Sequence, residues 1–178
     1  MPTIAERCKA IRLFLSDVDG VLTDSGMYYG EDGAELKRFS TLDSGGFILL
    51  GFVGVECGLL TSEDTEIVRR RAAKMEIPHV ITGARDKVPA LEALLATLKM
   101  SHEEVAYIGD DINDLEVLRR VGLSATVPGN FLPPDFEADF VSTRAGGDGA
   151  VRQFAEWILR ERGEYDRALK LYIESRSR

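Results

Sequence analysis

A chain of 178 residues with 44% hydrophobic and 29% charged side chains suits one domain with a sizeable core rather than two. Its net charge of −8 excludes generic binding to nucleic acid or to an anionic membrane surface, both of which need a basic face. Two cysteines, Cys8 and Cys57, are too few for a disulfide framework, and no uncharged span of about 18 residues is present to cross a membrane.

Along the chain, Met1 to Arg7 lacks the continuous apolar region of a secretory signal, so the expected location is the cytoplasm. Ile11 to Leu15 reads as a buried strand that releases into Asp17-Val18-Asp19-Gly20-Val21-Leu22-Thr23. In an open parallel sheet ligands bind beyond the carboxyl ends of the strands. Residues two apart on an extended chain point the same way, so Asp17 and Asp19 are expected to flank one ligand. A simple Asp-Gly turn is the bland alternative. An EF-hand loop fails, because Gly20 stands fourth rather than sixth and Asp32 lies too far along to be the bidentate ligand.

Gly26 to Tyr29 and Ala34 to Phe39 flank Gly30-Glu31-Asp32-Gly33 and predict a hairpin. A helix over about 43–51 follows, then a strand over 55–60 that ends on Thr61 and holds Cys57 as a small buried hydrophobe. Helices are expected over 65–74 and 87–98, the second opened by Lys87, with a short strand over 79–81 between them. Ser101 and Glu104 have capping-box spacing and fit a short turn. The strand 105–108 then delivers Gly109-Asp110-Asp111-Ile112-Asn113-Asp114. A helix over 113–121, strands near 123–125 and 140–141, and a helix over 149–162 complete the pattern. Breaks fall at Gly129 to Asp135 and Arg144 to Gly149. Residues 164–173 fit either a short amphipathic helix or a solvated tail. His79 and His102 have no partner spacing for a metal site.

Strands alternating with amphipathic helices predict an α/β fold, Rossmann-like and three-layered (α/β/α), with a parallel sheet and a β-hairpin flap after the first strand. One domain is expected over 1–178, its core about 10–162 and its tail 163–178.

Taken in order, D-x-D, Thr61, Lys87 and G-D-D-x-x-D resemble the haloacid dehalogenase superfamily of aspartyl-nucleophile phosphatases. A phosphate monoester dianion repels an anionic nucleophile, so positive charge must come first, and Mg²⁺ held by a few carboxylates supplies it. The resemblance implies Asp17 and Asp110 as direct Mg²⁺ ligands with the backbone carbonyl of Asp19, and Asp111 and Asp114 orienting them. Lys87 would neutralise nucleophile and phosphoryl group, and Thr61 would donate to a phosphoryl oxygen. Asp17 would attack phosphorus while Asp19 serves as acid and then base. The bland alternatives are a Thr61 that only caps the helix near Thr65 and a Lys87 that is an ordinary surface lysine.

The 41 or so residues between Asp19 and Thr61, and the 25 or so between Thr61 and Lys87, are too few for the cap domain that larger relatives insert. G-x-x-Y-x-x-x-G-x-E-x-K-x-F from Gly26, Val105 to Asp111, Val121 to Ser124 and Gly146 to Arg152 narrow the resemblance to the phosphatases of 3-deoxy-ulosonate sugars. These hydrolyse 3-deoxy-manno-octulosonate 8-phosphate or its nine-carbon analogues, and the capless relatives pack their hairpin within a homotetramer. Ser40 to Gly46 and Glu63 to Lys74 are more similar to the branch acting on 2-keto-3-deoxynononate 9-phosphate. That likeness implies Thr41, Ser44, Glu63, Arg71 and Lys74 as substrate-binding residues, the last three reaching in from a neighbouring subunit, although Glu66, Arg69 and Arg70 also have the spacing of a solvated helix. Ser62 after Thr61 and Asp148 near the end depart from the octulosonate pattern. N-acylneuraminate 9-phosphate is a further candidate substrate. A non-catalytic phosphatase-like module is disfavoured by the presence of Asp17, Asp19, Lys87 and Asp110, and a phosphotransfer receiver domain by G-D-D-x-x-D, which has no place in it.

Overall fold

Four successive fully buried residues, Leu13–Ser16, form the strand β1 in the middle of a computed structural model that describes residues 2–176. Before it runs the helix α1 (Ile4–Ala10), and after it the hairpin strands β2 (Thr23–Tyr29) and β3 (Glu35–Phe39). The chain continues through α2 (Leu42–Phe52), β4 (Glu56–Leu60), α3 (Glu66–Lys74), β5 (His79–Ile81), α4 (Lys87–Leu98) and β6 (Val105–Ile108). It ends with α5 (Leu115–Leu118), β7 (Leu123–Thr126), β8 (Phe140–Val141), α6 (Ala150–Glu161) and α7 (Tyr165–Arg176).

Six strands pair in the order β5-β4-β1-β6-β7-β8, all parallel. β1, β6 and β7 are buried at every position, the pattern of parallel strands covered on both faces. The two-residue period of β1 divides the core. Phe14 joins Phe47, Leu50 and Phe154 on the side of α2 and α6, while Leu13 and Leu15 join Leu91, Tyr107 and Val117 on the side of α4 and α5. This is the expected three-layer α/β/α arrangement. From β1 the sheet grows first toward β4 and β5, then on the other side toward β6, β7 and β8. Strand order therefore reverses at β1, and a crevice opens beyond the carboxyl ends of β1, β4 and β6. No helix among the described residues is long and apolar enough to cross a membrane.

Some boundaries differ from expectation. β2 starts at Thr23 rather than Gly26, and an irregularity between Thr23 and Met27, with Ser25 at φ 61, separates the Thr23–Phe39 pair from the rest of the ladder. The helix expected over 113–121 is only α5. Asp114 turns its carboxylate back onto the amides of Asp110 and Asp111 and holds the preceding loop as a turn. α1 was not expected; Thr3 and Glu6 form a capping box at its start. Residues 165–176 are helical, and α7 is docked through buried Ala168 and an edge contact of Tyr172 with Phe52.

The loop before α6 supports the chain beyond β1 by close backbone approach. A Cβ on Gly146 would stand 1.8 Å from the Gly20 carbonyl oxygen, and the Gly147 amide donates to Val21 O at 3.0 Å. Gly146→Ala is expected to force the two loops apart and cost about 1–3 kcal/mol, as overpacking does, seen as a melting temperature several degrees lower by circular dichroism. An unchanged melting temperature would mean that this contact bears no strain.

Candidate active site

Beyond the crevice lies an open cavity of about 360 Å³, lined by Asp17, Asp19, Thr61, Glu63, Asp110 and Phe131 among others. Asp17 follows β1 directly, and its amide donates to Ile108 O at 3.0 Å, so the pairing of β1 with β6 sets its position. Asp110 stands two residues past β6. Gly20 lets the two loops meet: at φ 89 it turns the chain, and a Cβ there would lie 1.9 Å from Asp110 Oδ2.

Lys87, the first residue of α4, is fully buried and belongs to the cluster. Its Nζ donates to Asp17 Oδ1 at 2.7 Å, Asp114 Oδ1 at 2.6 Å and the Tyr107 hydroxyl at 3.2 Å. The Tyr107 hydroxyl in turn donates to Asp114 Oδ1. Burial first, then the carboxylates around it, hold the Tyr107 phenol well above its ordinary range and keep it a donor. Burial alone would lower the Lys87 pKa, but Asp17 and Asp114 outweigh it and the ammonium persists. Asp110 is pushed up to about 7 by burial, then by the charges of Asp114 and Asp111. Asp17 is pushed up to about 8, first by burial and then by Asp114, with Lys87 pulling the other way.

Once all three buried carboxylates are ionised, one ammonium leaves two negative charges uncompensated, which a divalent cation would balance. Oxygens of Asp17, Asp110 and Asp114 lie within 4.8 Å of one another. Asp114 is already committed, with Oδ1 to Lys87 and Tyr107 and Oδ2 to the amides of Asp110 and Asp111 at 3.0 and 3.2 Å. Asp110 Oδ1, by contrast, is buried with no hydrogen-bond partner in the protein, an oxygen that a bound cation would satisfy. The residues therefore fit Mg²⁺ held by Asp17 and Asp110, with Asp114 fixing the loop that presents them. Asp111 is exposed and bonds the amide of Ile112 at 2.7 Å.

The two bland alternatives fail. α3 is capped by Thr65, whose side chain accepts from Val68 N; Thr61 is buried at the end of β4 and lines the cavity. Of the five expected substrate-binding residues, only Glu63 reaches this cavity. Arg71 donates to Ser40 O and Ser44 Oγ, each at 2.9 Å, and lines a separate cleft with Phe39, Arg70 and Lys74. Thr41 is exposed before α2 and makes no cap bond. Within one protomer Arg71 and Lys74 line a cleft apart from Glu63, with Lys37 lining that cleft and bonding Glu63; the expected reach of the three is toward a neighbouring subunit's site.

Several members of the site were not anticipated from the sequence. Tyr107 is hidden inside an apolar strand, and Asn113, Ser62 and Phe131 lie in loops, Asn113 donating to Ser62 Oγ at 3.1 Å. Lys37 of β3 donates to both oxygens of Asp19 at 2.7 Å and also to Glu63. A signal for it existed in the alternation of β3, where Glu35, Lys37 and Phe39 are the less exposed positions.

A model of the haloacid dehalogenase-like hydrolases matches residues 60–130. The 3-deoxy-D-manno-octulosonate 8-phosphate phosphatase KdsC of Salmonella typhimurium is 36% identical over 167 residues, covering 94% of this chain and 89% of that protein. Among solved structures, the octulosonate 8-phosphate phosphatase of Moraxella catarrhalis, a complex with magnesium, phosphate and a KDO molecule, superposes with a TM-score of 0.90. It is 35% identical, covering 95% of this chain and 97% of that one. A probable yrbi family phosphatase of Pseudomonas syringae gives the same score at 42% identity, covering 96% and 97%.

The raised carboxylates have a consequence for stability. Unfolded, Asp17 and Asp110 ionise near 3.8; folded without metal they hold their protons to about 8 and about 7. Between these values the folded chain binds more protons, so stability declines as pH rises through that window. The melting temperature of metal-free protein is expected to fall from pH 6 to pH 8, and added Mg²⁺ to raise it more at pH 8, where it displaces fewer protons. Differential scanning fluorimetry with EDTA or Mg²⁺ measures both, and parallel shifts at the two pH values would refute the assignment.

Proposed function

Because the chain belongs to the haloacid dehalogenase-like hydrolases, among the KdsC-type phosphatases that it matches over nearly its whole length, we propose that this magnesium-dependent phosphatase acts on 3-deoxy-D-manno-octulosonate 8-phosphate, with Asp17 as nucleophile. The observation that carries the reading is Asp17 beyond β1, one oxygen held by Lys87 while the residue lines the cavity that Asp19, Thr61 and Asp110 also line.

The chemistry follows from these positions. Bound Mg²⁺ supplies the positive charge that lets an anionic nucleophile approach a phosphate dianion. Lys87 screens Asp17 and holds its carboxylate in one orientation, so the approach is ordered before substrate arrives. Asp17 attacks phosphorus, the bond from phosphorus to the sugar oxygen breaks, and Asp19 delivers a proton to the departing alkoxide. The Thr61 hydroxyl faces the same cavity and is placed to donate to a phosphoryl oxygen. Asp19, now a carboxylate, takes a proton from the water that attacks the aspartyl-phosphate, which frees Asp17 and inorganic phosphate.

The octulosonate substrate is preferred over the nine-carbon one that the segments around Thr41 and Glu63 suggest. The named relatives are octulosonate 8-phosphate phosphatases. Asp148 lies outside the cavity lining, so its departure from the octulosonate pattern does not weigh against that sugar. The same reading includes a homotetramer in which neighbours cover the open cavity. Its support is the hairpin, where Tyr28, Tyr29 and Leu36 are 57%, 74% and 62% exposed.

Phosphate release with Mg²⁺ tests the reading. Octulosonate 8-phosphate is expected to exceed 2-keto-3-deoxynononate 9-phosphate at least about tenfold in kcat/KM, or about 1.4 kcal/mol of discrimination, and Asp17→Asn to lose at least about a thousandfold on either. The reverse preference would restore the nine-carbon reading. Turnover that survives Asp17→Asn would remove the nucleophile assignment.

A further inference from the structure

We propose that Lys37, carried by the hairpin, is a positioning residue for the proton-transfer step: it fixes the Asp19 carboxylate against Glu63 from outside the cavity. This deepens the function proposed above and rests on Asp19 being the acid and base.

The geometry is specific. Lys37 Nζ stands 2.7 Å from each oxygen of Asp19 and also bonds Glu63. Both carboxylates line the cavity and Lys37 does not. Its side chain is 0% exposed, whereas Asp19 and Glu63 keep 33% and 42% of theirs in solvent. The ammonium therefore stands behind the two acids, between this cavity and the neighbouring cleft that Lys37 lines with Phe39 and Arg71. Both oxygens of Asp19 bond a single point, which limits rotation of the carboxylate about its own axis, and the Thr23 hydroxyl reaches Asp19 Oδ1 at 3.4 Å as a weaker second tether.

Lys37 occupies an inward position of a strand whose alternate residues, Leu36 and Arg38, are exposed. A lysine is seldom placed with its ammonium fully out of water, because the charge must then be paired. Burial works against the charge here, but Asp19 and Glu63 outweigh it and hold the Lys37 pKa above its ordinary value. Lys37 also lies opposite Met27 in the hairpin register, and Met27 lines the cavity. The hairpin thus supplies one apolar wall of the site and, on the facing strand, the tether of its proton-transfer group. Any displacement of the hairpin moves both.

The consequence is a leaving-group signature. Protonation matters for an alkoxide, a poor leaving group, and little for nitrophenolate, which departs without help. The test compares kcat and KM of wild type, Lys37→Met, Lys37→Arg, Glu63→Gln and Asp19→Asn on octulosonate 8-phosphate and on p-nitrophenyl phosphate, with thermal melts alongside. For Lys37→Met, kcat/KM, which reports the step that expels the alcohol before the shared hydrolysis of the aspartyl-phosphate, is expected to fall about 30-fold more on the sugar ester than on the aryl ester, within the range a general acid contributes. Lys37→Arg is expected to recover part of that loss. The double variant Lys37→Met with Glu63→Gln is expected to stay as slow on the sugar as Lys37→Met, because the tether is missing even when the second carboxylate charge is removed.

Equal losses of kcat/KM on both esters, a rise in KM with kcat intact, or recovery in the double variant would each overturn the positioning role. Should Lys37→Met fail to fold, Lys37→Arg and Glu63→Gln carry the comparison: a leaving-group contrast in neither overturns the proposal. The underlying reading fails separately. If Asp19→Asn loses kcat/KM equally on both esters, Asp19 is not the acid; if wild type turns over neither ester, the phosphatase reading itself fails; in either case the role assigned to Lys37 falls with it. If Asp19→Asn shows the contrast and Lys37→Met does not, only the role of Lys37 is lost.

Discussion

A single ammonium, that of Lys87, buried among the carboxylates of Asp17, Asp110 and Asp114 is the arrangement on which the rest of the site depends. Ion pairs out of water are costly unless every charge and lone pair is met, and here the count does not close within the chain. The fold accommodates the excess by giving each acid a different environment. Asp114 is saturated by Lys87, Tyr107 and two amides, Asp17 is shared between Lys87 and the cavity, and Asp110 keeps an oxygen with no protein partner. Three chemically identical side chains thus become a clamp, a nucleophile candidate and a metal ligand candidate through what surrounds them. The clamp acts through the backbone: by gripping the amides of Asp110 and Asp111, Asp114 shapes the loop that the metal requires.

The positions of these groups follow from sheet topology more than from any loop. Ser16 pairs with Ile108, so the next residues of two strands far apart in sequence emerge side by side. β4 delivers Thr61 from the other flank, and α4 brings Lys87 from beneath. Glycines admit the close approaches: Gly20 against the Asp110 carboxylate and Gly146 against the Gly20 carbonyl. The hairpin is the exception. Its strands pair with each other and not with the six-stranded sheet, and it reaches the site through Thr23, Ser25, Met27 and Lys37.

Much of this was legible in the sequence because the chemistry is concentrated at strand ends. Uninterrupted apolar runs marked β1, β4 and β6, and the polar residues following them became the cavity wall. What was not legible has physical causes. Tyr107 reads as one more apolar strand residue, because periodicity cannot reveal that its hydroxyl meets an acid. Asn113 to Val121 has helical composition, but a side chain returning to its own loop shortens the helix to α5. Arg71 and Lys74 share a helix face whose outlook depends on how α3 sits on the sheet, and that lies beyond local pattern. The capping box of Thr3 and Glu6, in contrast, was a local signal for α1.

Because Asp17 and Lys87 stand 70 residues apart in the chain, the order of synthesis matters. At about 5–20 residues per second, Asp17 leaves the ribosome several seconds before the lysine that neutralises it, and later still the loop that holds Asp110 must follow. During that interval β1 can collapse with apolar segments already made, but its acidic end has no counter-charge and must stay in water. The edge of β1 that pairs with β6 has no partner strand until residues 105–108 are made. A nascent chain stalled before α4 would expose the apolar edge of β1, a surface that chaperones and proteases read.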